Sequence, residues 1–342
     1  MKNIRLTDLE RYVQEIMEKM GLTAEESRIM ADIYMETTKR GVGHHDIYNL
    51  PSRLEALERR TVNSAPEFKR LSSFGALEQW DGDNGLGELV CHHSMERAIA
   101  LAEDHGIGLC AVRNSNHYLC SAPYVLQAAR RGYIGFIIAK GVPTMGVPGA
   151  KGKVVGQSPI GYAFPAGGAD PVMLDICLAY VSGEQLARMA ADRLTVPGWW
   201  GVDRDGRETD SAEALAEGTK YGIGEHKGFG LAILCELLTG VLSGGLILDQ
   251  DEEKPGIKAR STSHTAIAVK ADGMMSREEY DRRSRELTER IRARAEEVHI
   301  PGDASWQSKR ELEEKGEIVL SDTLADRLIE YGGRYGVSFL YH

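Results

Sequence analysis

The spacing of apolar residues changes twice along this chain, and that change limits the architecture more than any single motif. Over the first 60 residues, Leu9, Val13, Ile16, Met17 and Met20 recur at helical intervals, as do Ile29, Met30, Ile33 and Tyr34. Thr7 with Glu10, and Thr23 with Glu26, have the spacing of capping boxes. Gly21 stands where the first helix should stop, and Pro51 is placed to open a third, PSRLEALERR. From about residue 75, strand-like runs alternate with helical ones. IGLCAVR, YIGFIIAK, PVMLDICLAYV and TSHTAIAVKA read as strands; MERAIALAEDHG and SAPYVLQAARRG read as helices. GLAILCELLTGVLSG reads as a buried helix, and GVPTMGVPGAKGK as a long loop of the kind that carries function. After residue 275 helices resume, one charged and capped by Ser276 with Glu279, the last being LADRLIEYG. The expectation is an α/β middle and a helical lobe to which both chain ends contribute. The boundaries fall at 1–75 with 285–342 for the lobe and 76–284 for the middle domain.

Composition narrows the function. A formal net charge of −10 over 342 residues speaks against nucleic acid as a partner, which would call for a basic face. No run approaches the roughly 18 apolar residues of a membrane span, so no membrane partner is expected, and MKNIRLTDLERYV does not read as a signal peptide. Five scattered cysteines without a CxxC pair suit a reduced, cytoplasmic protein. They supply no ligand pairs for a metal, and none is expected at CHHS, residues 91–94.

A dinucleotide fingerprint G-x-G-x-x-G should sit between a strand and a helix. NGLGELV supplies Gly85 and Gly87 without a third glycine, and GIGEHKG has Lys227 where the third should be. A conventional Rossmann domain is therefore not expected. VRNSNHYL follows a strand, which would deliver Asn114, Asn116 and His117 to a fixed point at a sheet edge; histidine there suits proton transfer. GEHKGFG puts Lys227 and Gly228 at a helix start, an arrangement that binds anions or merely solvates charge. Asp175 is a lone carboxylate in an apolar strand, able to accept from a ribose hydroxyl or from a backbone turn. RGVGHHDIYNLPSRL places His44, His45 and Asp46 in succession between helices two and three.

These stretches together, in order and nearly end to end, resemble the malate/L-lactate dehydrogenase family that lies outside the Rossmann-type lactate dehydrogenases. The resemblance rests on RGV, DGDNGLGE, HGIGLCAVRNSNH, GQSPIGYAFP, GWWGVDRDGRETD, KGFGLAILCELLTGVLSG and IPGD. It implies an α/β (α+β) fold with a non-Rossmann NAD(P)-binding domain on a largely antiparallel sheet, a helical lobe from both termini, and a homodimer. It implies an oxidoreductase using NAD or NADP on a small-molecule substrate, interconverting 2-oxo acids or imines with 2-hydroxy or 2-amino acids. His45 and His117 fall on the family histidines that exchange the proton. Leu174, Asp175, Lys227, Gly228 and Asp303 would meet the cofactor, and His264 falls on a position near the substrate.

The departures cluster at the same places. The family pattern G-V-x-S-H-G, with an arginine four residues after the histidine, reads here with His44 for serine, Asp46 for glycine and Asn49 for arginine. That last change removes a bidentate carboxylate partner; Arg53 and Arg40 are the nearest arginines able to reach in. Lys140 lies in AKG where threonine-asparagine-serine is usual, and could bring a new positive charge. Leu119 stands where glycine is usual, Leu178 and Ala179 replace threonine-serine, and PGDA replaces P-G-E-R, so that Ala304 takes the place of arginine. His44, Asn49, Lys140 and His264 are thus the expected substrate contacts, for an atypical hydroxy/oxo acid or sugar-like compound. Two other readings remain open at this point: metal-dependent chemistry at His44, His45 and Asp46, or a non-catalytic homologue that binds a ligand.

Overall fold

The computed structural model describes residues 1–150, 152–250, 262–294 and 297–342. Lys2–Arg5 (β1) runs directly into Leu6–Lys19 (α1). Thr7 therefore lies inside the first helical turn, and the capping box expected from Thr7 and Glu10 does not form; the N-cap position belongs to the extended Arg5. The Leu6 amide is satisfied by the Gly316 carbonyl at 2.9 Å instead. Ala24–Lys39 (α2) does begin with a complete capping box between Thr23 and Glu26. A single 3₁₀ turn then leads into Leu50–Glu58 (α3), with proline in its first turn as its residue type favours.

The middle of the chain follows in order. It comprises Lys69–Phe74 (β2), Leu77–Asp81 (β3), Gly87–His105 (α4), Ile107–Ser115 (β4), Ala122–Arg130 (α5) and Tyr133–Ala139 (β5). Pro143–Gly146 (β6), Val155–Gly156 (β7), Ile160–Ala166 (β8), Ala169–Ile176 (β9), Gly183–Ala191 (α6) and Gly201–Val202 (β10) come next. Then come Ala212–Glu217 (α7), Thr219–Tyr221 (β11), His226–Glu236 (α8), Thr262–Lys270 (β12) and Arg277–Arg292 (α9). The chain ends with Asp303–Lys315 (α10), Glu317–Leu320 (β13) and Asp322–Tyr335 (α11).

Seven strands form the main sheet in the order β2-β3-β4-β12-β5-β8-β9. Within it only β3 and β4 are parallel, so the sheet is largely antiparallel and unlike a doubly wound nucleotide fold. The late strand β12 is inserted between β4 and β5, where its fully buried Ala266 and Ala268 leave room for the covering helices. α4 lies so close to β4 that a Cβ on Gly108 would stand 2.1 Å from the Ala98 carbonyl oxygen. A four-stranded sheet, β10-β11-β6-β7, forms a second layer, and β6 occupies the middle of the segment expected to be loop throughout. α1, α2, α3 and α11 share one continuous apolar cluster with α4, α5 and the main sheet. The two chain ends meet in the ribbon β1–β13.

The apolar segment around α8 differs from expectation. Ala232 and Cys235 pack inward, but Leu231, Ile233, Leu234, Leu237, Val241 and Leu242 are 40–53% exposed. A helix apolar on all sides has a second face, and here that face stays exposed among the described residues.

The cap assignment is directly testable. Thr23→Ala should cost about 1 kcal/mol in urea unfolding, while Thr7→Ala should stay within about 0.5 kcal/mol of wild type.

Candidate active site

Residues 81–87 and 113–117 interlock, and this seam sets the position of His117. The Gly82 amide donates to the Arg113 carbonyl at 2.9 Å, and the Asn84 amide to the Asn114 carbonyl at 2.8 Å. Asn116 Nδ2 donates to the Asn84 carbonyl at 3.1 Å, to Asn84 Oδ1 at 3.0 Å and to the Gly85 carbonyl at 2.9 Å. A Cβ on Gly87 would stand 2.1 Å from the Asn116 carbonyl oxygen and 2.4 Å from that of His117. Only glycine allows the start of α4 to lie under this strand end. Two residues on, Leu119 holds φ of +66° at the position where the family pattern has glycine.

His117 opens onto a cavity of about 1190 Å³ between the helical lobe and the main sheet. Its Nδ1 accepts from the Leu119 amide at 3.2 Å and faces Arg53 Nη2 at 3.0 Å, while Nη2 also donates to the His117 carbonyl at 2.8 Å. Arg53 is held from behind: its Nε donates to Glu88 Oε1 at 2.6 Å, and Glu88 is fully buried in the first turn of α4. The single proton of a neutral His117 is thus placed on Nε2. Enclosure in the cavity, the Arg53 cation and the neighbouring imidazoles keep its pKa well below that of free histidine.

The loop between α2 and α3 brings two more histidines to the same wall. His45 stacks between its neighbours, its ring centroid 3.8 Å from that of His44 and 4.9 Å from that of His117. Burial, with His44 and Arg53 beside it, pushes its pKa down to about 3. His44 Nδ1 lies 2.7 Å from Glu184 Oε2 at the start of α6. Asp46 turns inward: it accepts from the Gly43 amide at 2.8 Å and the Tyr48 amide at 3.0 Å, and burial raises its pKa to about 6. Asp46 is therefore committed to shaping the loop rather than to caging an ion with the histidines. Among the described residues, no three histidine, cysteine, aspartate or glutamate side chains converge in a way that could hold a metal ion.

Beside the same strand end, fully buried His264 presents Nε2 to the Asn116 carbonyl at 3.0 Å and to Ser115 Oγ at 2.9 Å; burial pushes its pKa down to about 4. Its Nδ1, and Oγ1 of cavity-lining Thr144, are buried without a hydrogen-bond partner among the described residues. Lys140, at the end of β5, is buried and donates to the Leu248 carbonyl at 2.8 Å. Asp175 accepts from the Ser121 amide at 2.7 Å, so it caps the start of α5, and burial raises its pKa. Asp303 accepts from Arg292 at 2.7 Å and from the Ile300 amide at 2.9 Å.

His44, His45, His117, Lys140, Leu174, Asp175, His264 and Asp303 all line this one cavity. Asn49 does not; its amide donates to the His44 carbonyl at 3.3 Å. Lys227 and Gly228 stand at the start of α8, as the sequence suggests, but outside the cavity lining. Arg40 reaches the wall, yet its guanidinium is occupied by Glu36, Ser305 and the face of Trp306. Arg53, held by Glu88 against His117, is the other arginine on the cavity lining. Glu184 escaped the sequence reading, although Ser182 with Gln185 marks a helix start just there; in the structure Ser182 accepts from the Gln185 amide. Neutral imidazoles beside a guanidinium, in an enclosed pocket with unpartnered polar atoms, suit an anionic polar ligand that undergoes proton transfer.

Residues 4–329 match the family described as malate/L-lactate dehydrogenase. The L-sulfolactate dehydrogenase of Methanocaldococcus jannaschii is 30% identical over 342 aligned residues, which cover 96% of each chain. Its solved structure superposes with a TM-score of 0.89 at 27% identity, covering 99% of this chain and 98% of that one. The 2,3-diketo-L-gulonate reductase of Klebsiella pneumoniae is 30% identical over 312 residues, covering 87% of this chain and 91% of the relative.

The seam should be intolerant of a single methyl group. Gly87→Ala should destabilise by on the order of 2 kcal/mol in urea unfolding and shift the NMR signals of His117, since its Cβ meets backbone rather than a movable side chain.

Proposed function

The chain belongs to the malate/L-lactate dehydrogenase family, and we propose that it is an NAD- or NADP-dependent oxidoreductase acting on a small anionic 2-hydroxy/2-oxo acid, or the related amine and imine. The observation that carries this reading is the meeting of His45, His117 and the Glu88-anchored Arg53 at one cavity wall. Arg53 would take the substrate's anionic group in place of the arginine missing at Asn49. His117 would donate from Nε2 to the reacting oxygen, and the histidine cluster would exchange the proton. Lys140 and His264 line the same cavity, and either would meet a polar substituent of the substrate.

A nicotinamide, when bound, supplies or accepts the hydride. The residues present fit such a group. The cavity is above the usual range for a single small ligand. His264 Nδ1 and Thr144 Oγ1 are buried polar atoms awaiting partners, and Leu174, Asp175 and Asp303 form the wall opposite the histidine loop. For Lys227 and Gly228 to take part, the cofactor must extend beyond that wall.

A homodimer in the cytoplasm completes the proposal. The uncovered apolar face of α8 and the turns after it suits a second copy, and all five cysteines are unpaired. Among the described residues, no helix is long and apolar enough to cross a membrane.

Titration with NADH and NADPH, followed by tryptophan fluorescence, is the first test. Saturable binding of one cofactor is expected, and failure to bind either would overturn the proposal. With a 2-oxo acid that is turned over, Arg53→Lys should raise KM about tenfold or more and alter kcat less, because a point charge replaces a planar fork.

A further inference from the structure

His44 and Glu184 form a carboxylate–imidazole pair on the cavity wall, joining two segments far apart in sequence. His44 Nδ1 and Glu184 Oε2 are 2.7 Å apart, with side chains 30% and 35% exposed. Ser182 caps the helix start that carries Glu184. Both residues line the cavity that holds His45 and His117.

The three histidines are not equivalent as proton carriers. His117 has Nδ1 occupied by the Leu119 amide, and a second proton there would face the Arg53 guanidinium. Its Nε2 carries the remaining proton and can only donate. His45 has no hydrogen-bond partner for its ring among the described residues, so nothing compensates a charge on it. His44 alone has a carboxylate to hold its Nδ1 proton, which leaves the Nε2 lone pair free to act as a base. At this position the family pattern has serine, which could not do this.

Resting on the oxidoreductase reading above, we infer that the His44–Glu184 pair is the proton-exchanging group of this site, and that His117 is a fixed hydrogen-bond donor to the substrate oxygen. In oxidation, Nε2 of His44 takes the hydroxyl proton as the C–OH becomes C=O, and an oxidised nicotinamide, when bound, would accept the hydride from that carbon. The Nδ1 proton stays on His44 against Glu184, which balances the new charge. The Nε2 proton then leaves to solvent from the part-exposed ring, and reduction runs the same steps backwards.

The charged and titratable groups around His44 are Glu184 and Arg188 on α6, His45 in its own loop, His117 at the end of β4 and Arg53 on α3. Burial and the Arg188 cation lower the His44 pKa; the Glu184 carboxylate acts in the opposite sense and prefers the imidazolium.

The first test uses the protein without cofactor or substrate. Histidine ¹⁵N shifts should show His44 protonated on Nδ1 and titrating, and His117 protonated on Nε2 with no titration between pH 5 and 9. Glu184→Gln should lower the His44 pKa by about one unit or more without altering the His117 tautomer. A titrating His117, or a His44 that ignores Glu184→Gln, would overturn the assignment. The second test is oxidation of L-malate, L-lactate and L-sulfolactate with NAD and NADP. His44→Ser, the residue usual in the family and therefore one the fold should accept, should lower kcat on the order of 100-fold with little change in KM. Glu184→Gln should move the acid limb of the pH profile downward. A serine variant with wild-type kcat would refute the pair's role. If none of the three acids is oxidised by wild type, the ¹⁵N titration alone judges the pair, and the oxidoreductase reading stands or falls separately with the NADH and NADPH titration.

Discussion

The absence of a side chain at residue 87 is the constraint from which the site follows. It lets the carbonyls of Asn116 and His117 lie over the first turn of α4, where any Cβ would collide with them. The next residue, Glu88, is buried in that same turn and fixes Arg53, which in turn fixes the His117 ring. One short stretch thus sets the position of the strand end that leads to His117, the orientation of a cation and the tautomer of a histidine. The cost of burying Glu88 is offset by its short contact to Arg53 and by its place at a helix N-terminus.

The electrostatics of the cavity run against those of the whole chain. The sequence carries a net charge of −10, yet the wall holds Arg53 and buried Lys140 together with histidines that stay uncharged. Charge on the histidines is suppressed by enclosure and by the guanidinium, while the arginine itself cannot be neutralised. An anionic ligand entering such a pocket meets a fixed positive charge and several neutral hydrogen-bonding groups.

Much of this was readable before the structure. The helices with clear stops and caps, such as α2 with Thr23 and α4 ending at Gly106, are local events and left local signals. So did the strand that carries VRNSNH, and the family resemblance named its histidines. α10 left no such signal because only Trp306 of its residues is buried, so apolar periodicity is absent. β1 and β13 are four-residue strands that pair across the whole chain, and no local pattern encodes that. DGDNGLG was legible as a motif, but its purpose, holding the strand end by backbone contact, is a relation between two segments. The same applies to Glu184, whose significance depends on His44 140 positions earlier. Asn49 illustrates the reverse: the sequence shows an arginine absent with Arg53 and Arg40 near by, and only the structure shows Arg53 held against His117 while Arg40 is tied to Glu36.

The ribbon that joins the chain ends also orders events in time. The main sheet is assembled wholly from residues between 69 and 270, so a nascent chain contains all the strands of that sheet before the last fifth is made. β1 cannot find β13, nor α1 pack against α11, until residues beyond 317 have been synthesised. Until then, the lobe that walls the cavity on the histidine-loop side waits without its partners, and its apolar surfaces remain exposed to water. The sheet can therefore be vectorially complete while the pocket is still open. The dry, enclosed setting that keeps His45 and His264 neutral is the last property the growing polypeptide acquires.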